Sequence, residues 1–395
     1  MPAPLTRRRF TASLAAIAAA NLLPARAQTS SARLDVASLE GDRILAAGTP
    51  ALKQPVTLFT VLPSPATAKL KQDFYSEITP DPDPAAKTPP KPSFRDQATA
   101  LRLVSNTVAA LTAAFLVTHQ DEYALRAGQH LYAWLVDPAT RMNANVTSAG
   151  YNPAKSTGTP AGLTDAAPLA ELIRAMSFLV DTAALSPPDL DSAHAWLADL
   201  QTWLSTDRNA LIAREAKDHA ASSWLLLSST IARTLRDERT LDANRHRFRT
   251  PTLRNQINAV GIFPHEAATA FPYRNTLFNF DLLTGACQLL ASPFDDLWHY
   301  ELEDGPGMRS VAAALYPTIK DPAKWPYIAD PQNFHDLPGR RPALLFAGRA
   351  FDRPEYVDLW HSTPAPDLSA LPEPIAASFP ITEPLPWIAR APRGL

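Results

Sequence analysis

The sequence predicts an all-α protein. Apolar residues recur at three- and four-residue spacing along most of the chain, and no convincing run alternates apolar with polar residues as a half-buried strand would. Capping residues open several of the periodic segments, and prolines separate them. Proline accounts for 39 of 395 residues against 13 glycines, so the connections are read as stiff and extended.

The first element is an address. Thr6-Arg7-Arg8-Arg9-Phe10 precedes an Ala- and Leu-rich run over 12–23, then Ala25-Arg26-Ala27 before Gln28. A basic region, an apolar stretch too short to span a bilayer and a small-x-small ending define a secretory signal over 1–27. The paired arginines before Phe10 favour the twin-arginine route. A periplasmic or secreted, monomeric chain without a membrane span is expected. Removing the signal takes four arginines (Arg7, Arg8, Arg9, Arg26) and no acid, so the net charge of −2 becomes −6. With no basic run, nothing marks a nucleic-acid partner. An anionic ligand would need a local basic pocket. The single Cys287 rules out an internal disulfide and reads as a small packed hydrophobe in the apolar run 282–290.

Residues 28–95 read as irregular, with one short helix over 34–48. Pro80-Asp81-Pro82-Asp83-Pro84 and Pro89-Pro90 forbid regular structure there. The helical body spans 96–363. Leu101, Val104, Val108, Leu111 and Phe115 mark a helix from Asp96 up to His119, and a second runs over 121–135 to Asp137-Pro138. A long loop over 141–164 follows. Further helices are predicted over 165–181, 188–206, 222–236, 238–249, 275–292 and 308–316, with a short one from Pro251 to 257. Asp165, Ser186 and Asp237 are read as caps. The Pro-rich tail, 364–395, is expected to wrap the surface as an extended strap. A bundle, a solenoid and a toroid all satisfy this pattern.

Two polar knots stand ahead of apolar helices. Lys217, Asp218 and His219 precede Trp224, and Tyr273, Arg274 and Asn275 precede Phe278. On residue types alone, Asp218 and Asn275 read as caps and His219 as a helix-end histidine. Their chemistry also suits proton abstraction beside a carboxylate, since imidazole and phenol move protons while guanidinium and amide hold acidic sugar. His265-Glu266 begins a zinc-protease pattern, but position 269 is Thr and the second histidine is absent. Asp296 and Glu303 offer the two carboxylates of a glycoside hydrolase, although a surface loop is the simpler reading.

Four stretches resemble the alginate lyase superfamily of polysaccharide lyases. Lys71 to Glu77 with Pro80-Asp81-Pro82 is similar to its K-x-DFYSE…PDP signature, and 136–143 to its DPxTRMNP loop. Lys217-Asp218-His219…Trp224 resembles its K-N-N-H-x-x-W block. Gly261 to Glu266 through Phe278-Asn279-Phe280-Asp281, then Asp296-Leu297-Trp298 and Trp325-Pro326-Tyr327, resembles its C-terminal half. The resemblance runs from about residue 35 to 330.

It implies an incomplete (α/α) toroid and β-elimination on a uronate polysaccharide without metal or organic cofactor. His219 would be base or carboxylate neutraliser, Tyr273 the acid/base phenol and Asp218 the neighbour of the histidine. Lys71, Lys217, Trp224, Arg274 and Asn275 would bind acidic sugar. The chain departs from the pattern at Asp218, where the family has Asn, at Thr269 in a run that lacks the expected arginine, and at Asn275. An ungapped alignment puts Asn275 where a second tyrosine would stand. A glycan-binding protein without catalysis is the alternative expectation.

Overall fold

The computed structural model describes residues 34–65, 70–78, 93–331 and 334–390. The expected signal over 1–27 and the prolines between 80 and 90 lie outside them. Helix α1 (Val36–Ala51) starts where Asp35 accepts from the Ser38 N–H at 3.2 Å, and it buries the stripe Val36, Glu40, Ile44, Gly48. α2 (Asp96–Thr118) packs along α1 and ends at His119 in the left-handed region, φ 56°. α3 (Asp121–Leu131) continues into wide π-type turns over Tyr132–Val136 and stops at Asp137-Pro138, as the proline dictates.

Beyond a loop come α4 (Pro168–Met176), α5 (Pro187–Thr206), α6 (Arg208–Arg214), α7 (His219–Leu235) and α8 (Glu238–Arg247). α9 (Leu253–Gln256) and α10 (Pro264–Ala267) are single turns before α11 (Pro272–Leu290) and α12 (Met308–Lys320). α13 (Pro342–Ala350), α14 (Pro354–Ser362), α15 (Glu373–Ala376) and α16 (Leu385–Ile388) complete the order. The all-α class is as expected. Helices α6, α10, α13, α14, α15 and α16 were not anticipated. α6 is carried by Asp207, whose carboxylate accepts from Asn209 N and Ala210 N.

The inner helices form a row in which α2 packs on α4, α4 on α7, α7 on α11 and α11 on α13. The two central ones are buried on all faces: every residue of α7 from Ala220 to Ala232 is buried, as is every residue of α4 from Leu169 to Met176. Outer helices bury one stripe only, such as Ala193, Trp196, Leu197, Leu200 and Leu204 of α5. α2 is long and apolar enough to cross a membrane by composition. Yet 61% of its most apolar window is buried against its neighbours, as in a core helix.

Two expectations need correction. Short parallel strands do occur, β1 (Tyr75–Glu77) pairing with β2 (Ser148–Tyr151), but runs of three and four residues carry no readable alternation. The tail does not simply wrap the surface either. α16 touches α2, α4 and α11, and Ile381 and Trp387 are 1% and 3% exposed. Gly285 in α11 leaves the space they fill, since a Cβ there would sit 2.7 Å from the Ile381 side chain.

Candidate active site

The N-termini of α7 and α11 open on one pocket of about 200 Å³, lined among others by His219, Arg274, Asn275, Phe278, Arg95 and Asp165. α7 begins at His219, three residues before its predicted start, because the Asp218 carboxylate accepts from the Ala220 N–H at 3.0 Å. α11 begins at Pro272 because Asp330, distant in sequence, accepts from Tyr273 N at 3.1 Å and Arg274 N at 2.8 Å. Asn275 is therefore not the cap. It sits in the first turn, its amide donating to Thr269 Oγ1 at 3.1 Å.

Glu266 of α10 holds the histidine. One carboxylate oxygen accepts the His219 backbone N–H at 2.6 Å and the other meets His219 Nδ1 at 2.9 Å. Glu266 is fully buried, whereas 22% of the His219 side chain is exposed. A carboxylate partner places the proton on Nδ1 and leaves Nε2 as the basic nitrogen available to the pocket. Burial alone would lower the imidazole pKa. The charge and hydrogen bond of Glu266, helped by Asp218, outweigh that and raise it above 6.5, while Arg274 acts in the opposite sense.

The pocket carries two guanidinium groups. Arg274 lies over the Phe271 ring at 3.9 Å, with its Nε 3.3 Å from Asn275 Oδ1. Arg95 forks onto Asp165 at 2.6 and 2.7 Å and reaches Glu373 at 3.2 Å. Asp165 is not a cap; it also accepts from Ser76 Oγ at 2.6 Å. The Lys71–Glu77 signature is a scaffold here. Asn143 ties it to the 136–143 loop by donating to Gln72 O and Asp73 Oδ1, both at 2.8 Å. Gly150 and Gly162 let β2 and the turn over Pro160–Ala166 meet behind the pocket, where a Cβ on Gly162 would lie 2.1 Å from Ala149 O.

Several expected site residues lie elsewhere. Tyr273 is fully buried, donates to Thr318 O at 2.7 Å, and packs against Trp325 and Phe334 at 4.8 and 5.1 Å. Burial pushes its phenol up to about 12, so it is a core residue and not a proton donor to the pocket. Its ring is held in the core by the bond to Thr318 O and by the Trp325 and Phe334 rings, while Asn275 in the same first turn lines the pocket. Trp224 is 5% exposed and donates to Leu204 O at 3.0 Å, with Arg214 and Arg247 flanking its ring; it packs rather than binds sugar. Lys71 and Lys217 are exposed outside the helices and do not line the pocket. Asp296 pairs with His299 at 2.7 Å on an exposed loop, and Glu303 is exposed nearby, so the glycosidase pair forms no part of this pocket.

Sequence reasoning missed Glu266, Arg95, Asp165 and Glu373. Only the first left a signal, as the acid of the resembled Pro-x-Glu element. The other three come together from β1-adjacent, loop and tail segments that no spacing connects.

The alginate lyase family model matches residues 60–325. An alginate lyase from Bacteroides ovatus superposes with a TM-score of 0.74 at 20% identity, covering 89% of this chain and 93% of that one. Alginate lyase A1-III from a Sphingomonas species gives 0.52 at 15% identity, covering 86% and 94%. A variant of A1-III complexed with a tetrasaccharide gives 0.52 at 15%, covering 89% and 94%. These structures establish the fold. No curated protein matches the sequence. The family match spans well over half of the 395 residues, and the chain belongs to the alginate lyase family of polysaccharide lyases.

Proposed function

We propose that the protein cleaves a uronate polysaccharide by β-elimination in the His219 pocket. The supporting observation is the His219–Glu266 pair opening on a pocket that also holds Arg274. A uronate C5 proton is too weakly acidic to leave unless the adjacent carboxylate charge is neutralised as the dianion develops. Arg274 supplies that positive charge, and Asn275 a neutral hydrogen-bonding group. His219 Nε2 takes the C5 proton, the electron pair forms the C4–C5 double bond, and the C4–O4 bond breaks. No tyrosine is among the described lining residues. The imidazolium formed is therefore the group placed to return the proton to O4. That double use requires C5–H and C4–O on one face of the sugar ring.

A pocket of about 200 Å³ lies below the roughly 300–1,000 Å³ of clefts for drug-sized ligands. Glu373, Pro374, Ala377 and Ser378 from the tail wall one side. Short oligosaccharides or chain ends are the substrates this favours.

The test is ultraviolet detection of unsaturated products from a panel of polyuronates, with product sizes followed over time. His219→Ala is expected to lower the rate by about 10²–10⁴-fold. Undiminished turnover in that variant would sink the assignment. Binding of acidic glycans without any product, unaffected by His219→Ala, would instead mark a binding protein.

A further inference from the structure

The charged groups among the described residues lining the His219 pocket cancel one another while the imidazole is neutral. Two guanidinium groups, Arg95 and Arg274, stand against two carboxylates, Asp165 and Glu373. The carboxylates are not held alike. Asp165 takes the Nη1–Nη2 fork of Arg95 at 2.7 and 2.6 Å and also accepts from Ser76 Oγ at 2.6 Å. Glu373 presents a single oxygen to the other edge, 3.3 Å from Nε and 3.2 Å from Nη2. Guanidinium–carboxylate bonds ordinarily run about 2.7–2.9 Å and often come in parallel pairs, so Glu373 leaves this edge underused.

A second guanidinium lies close by. Arg95 directly precedes α2, and Arg102 follows two turns along it, on the same side and roughly 10 Å away along the axis. Arg102 is 5% exposed, and its Nε and Nη1 have no hydrogen-bond partner among the described residues. Buried charges are ordinarily paired. Burial lowers the Arg102 pKa; the Glu373 carboxylate acts against that and the Arg95 charge acts with it, so both groups are near enough to be felt. The backbone around Glu373 is pinned, since Ala377 N donates to Glu373 O at 2.8 Å and Arg341 donates to Ser378 Oγ at 3.2 Å. The Glu373 side chain is long, rich in rotamers and 24% exposed, so it can move alone.

We propose that Glu373 is a gate that substrate displaces: in the free protein it fills the edge of Arg95 that a uronate carboxylate takes, and it crosses to Arg102 as the sugar enters. Arg95 is thereby a sugar-binding residue. The exchange replaces one carboxylate by another, so it costs Arg95 no partner. The incoming group brings two oxygens to two donors where Glu373 brought one, and Arg102 gains the partner it lacks. A neutral sugar offers no such exchange, so the gate selects for acidic chains. The choice of a uronate ligand rests on the lyase reading.

The experiment uses the full chain carrying His219→Ala, titrated calorimetrically with an alginate tetrasaccharide. Glu373→Gln keeps the length of the side chain and an acceptor oxygen but removes the competing charge, so binding should tighten by about fivefold or more. A tetrasaccharide with its carboxylates reduced to alcohols should gain far less. Arg102→Gln should weaken binding by about threefold or more where Glu373 is present and have no effect where it is Gln. In the His219 protein, Glu373→Gln should lower KM more than it changes kcat. Binding that is unchanged, weakened or undetectable in Glu373→Gln overturns the proposal. So does an equal gain for the reduced sugar, which would make Glu373 a steric wall, or an Arg102 effect of the same size in both backgrounds. Should Arg102→Gln fail to fold, the comparison of the two sugars decides alone. Because binding is read without turnover, its failure is distinguishable from failure of the lyase assay.

Discussion

His219 faces the pocket with one ring nitrogen because Glu266 occupies the other, and that division sets its pH behaviour. The imidazole must be neutral to act as a base, so activity should rise with pH through a value above 6.5. Glu266→Gln removes the charge that raises the imidazole pKa while keeping an acceptor for the backbone N–H. The acidic limb of kcat/KM is therefore expected to move to lower pH, with kcat falling about tenfold or more as the ring loses its orientation. An unmoved limb would show that another group titrates. Tyr273 makes the opposite case. Tyr273→Phe loses the bond to Thr318 O and should cost about 1 kcal/mol in urea unfolding with kcat unchanged. A collapse of kcat at native stability would restore the phenol to the mechanism. No residue-type argument separated these two, because both stand at helix starts in polar company and differ in what lies behind them.

At the scale of the element, Asp218 does two jobs that substitutions can split. Its carboxylate caps α7 through Ala220 N, and its charge helps raise the pKa of His219. Asp218→Asn retains a capping oxygen, so stability should hold within a few tenths of a kcal/mol while the acidic limb again moves down. Asp218→Ala loses the cap as well and should cost about 1 kcal/mol, read by thermal or urea unfolding. Equal limbs in wild type and Asp218→Asn would rule out the charge coupling. The position of α7 was legible to within three residues because capping and apolar periodicity are local signals. The start of α11 was legible to the same three residues, but its cap was misassigned to Asn275, because the group that caps it, Asp330, arrives from 56 residues downstream of Arg274. The two short strands were invisible for the same reason: pairing between 75–77 and 148–151 is a long-range fact.

Over the whole molecule, the tail is part of the fold's interior and of the pocket wall. Arg341 is fully buried and fastens it, donating to Ser378 O at 2.5 Å and to Asp281 of α11 at 3.0 Å, with Phe379 stacked at 3.8 Å. Removing one member of a buried ion pair leaves the other uncompensated. Arg341→Met should therefore destabilise by about 3–5 kcal/mol and loosen the wall formed by Ala377 and Ser378. Chemical denaturation tests the first effect. The second should appear as a raised KM with a smaller change in kcat. A variant of native stability would mean that the tail is not held by this residue.

What the sequence determined by itself was whatever neighbouring residues decide together: the helical class, most inner helices, the cap at Asp218, and the candidacy of His219. The tertiary structure alone decided which polar side chains share a pocket. It brought Glu266 to His219 across 47 residues, joined Arg95 to Asp165 and to Glu373 in the tail, and turned Tyr273 into the core. Helix periodicity and capping act over a few residues and are written in the chain. Convergence on a pocket depends on how whole helices pack, and packing sums many weak contacts between residues far apart in sequence.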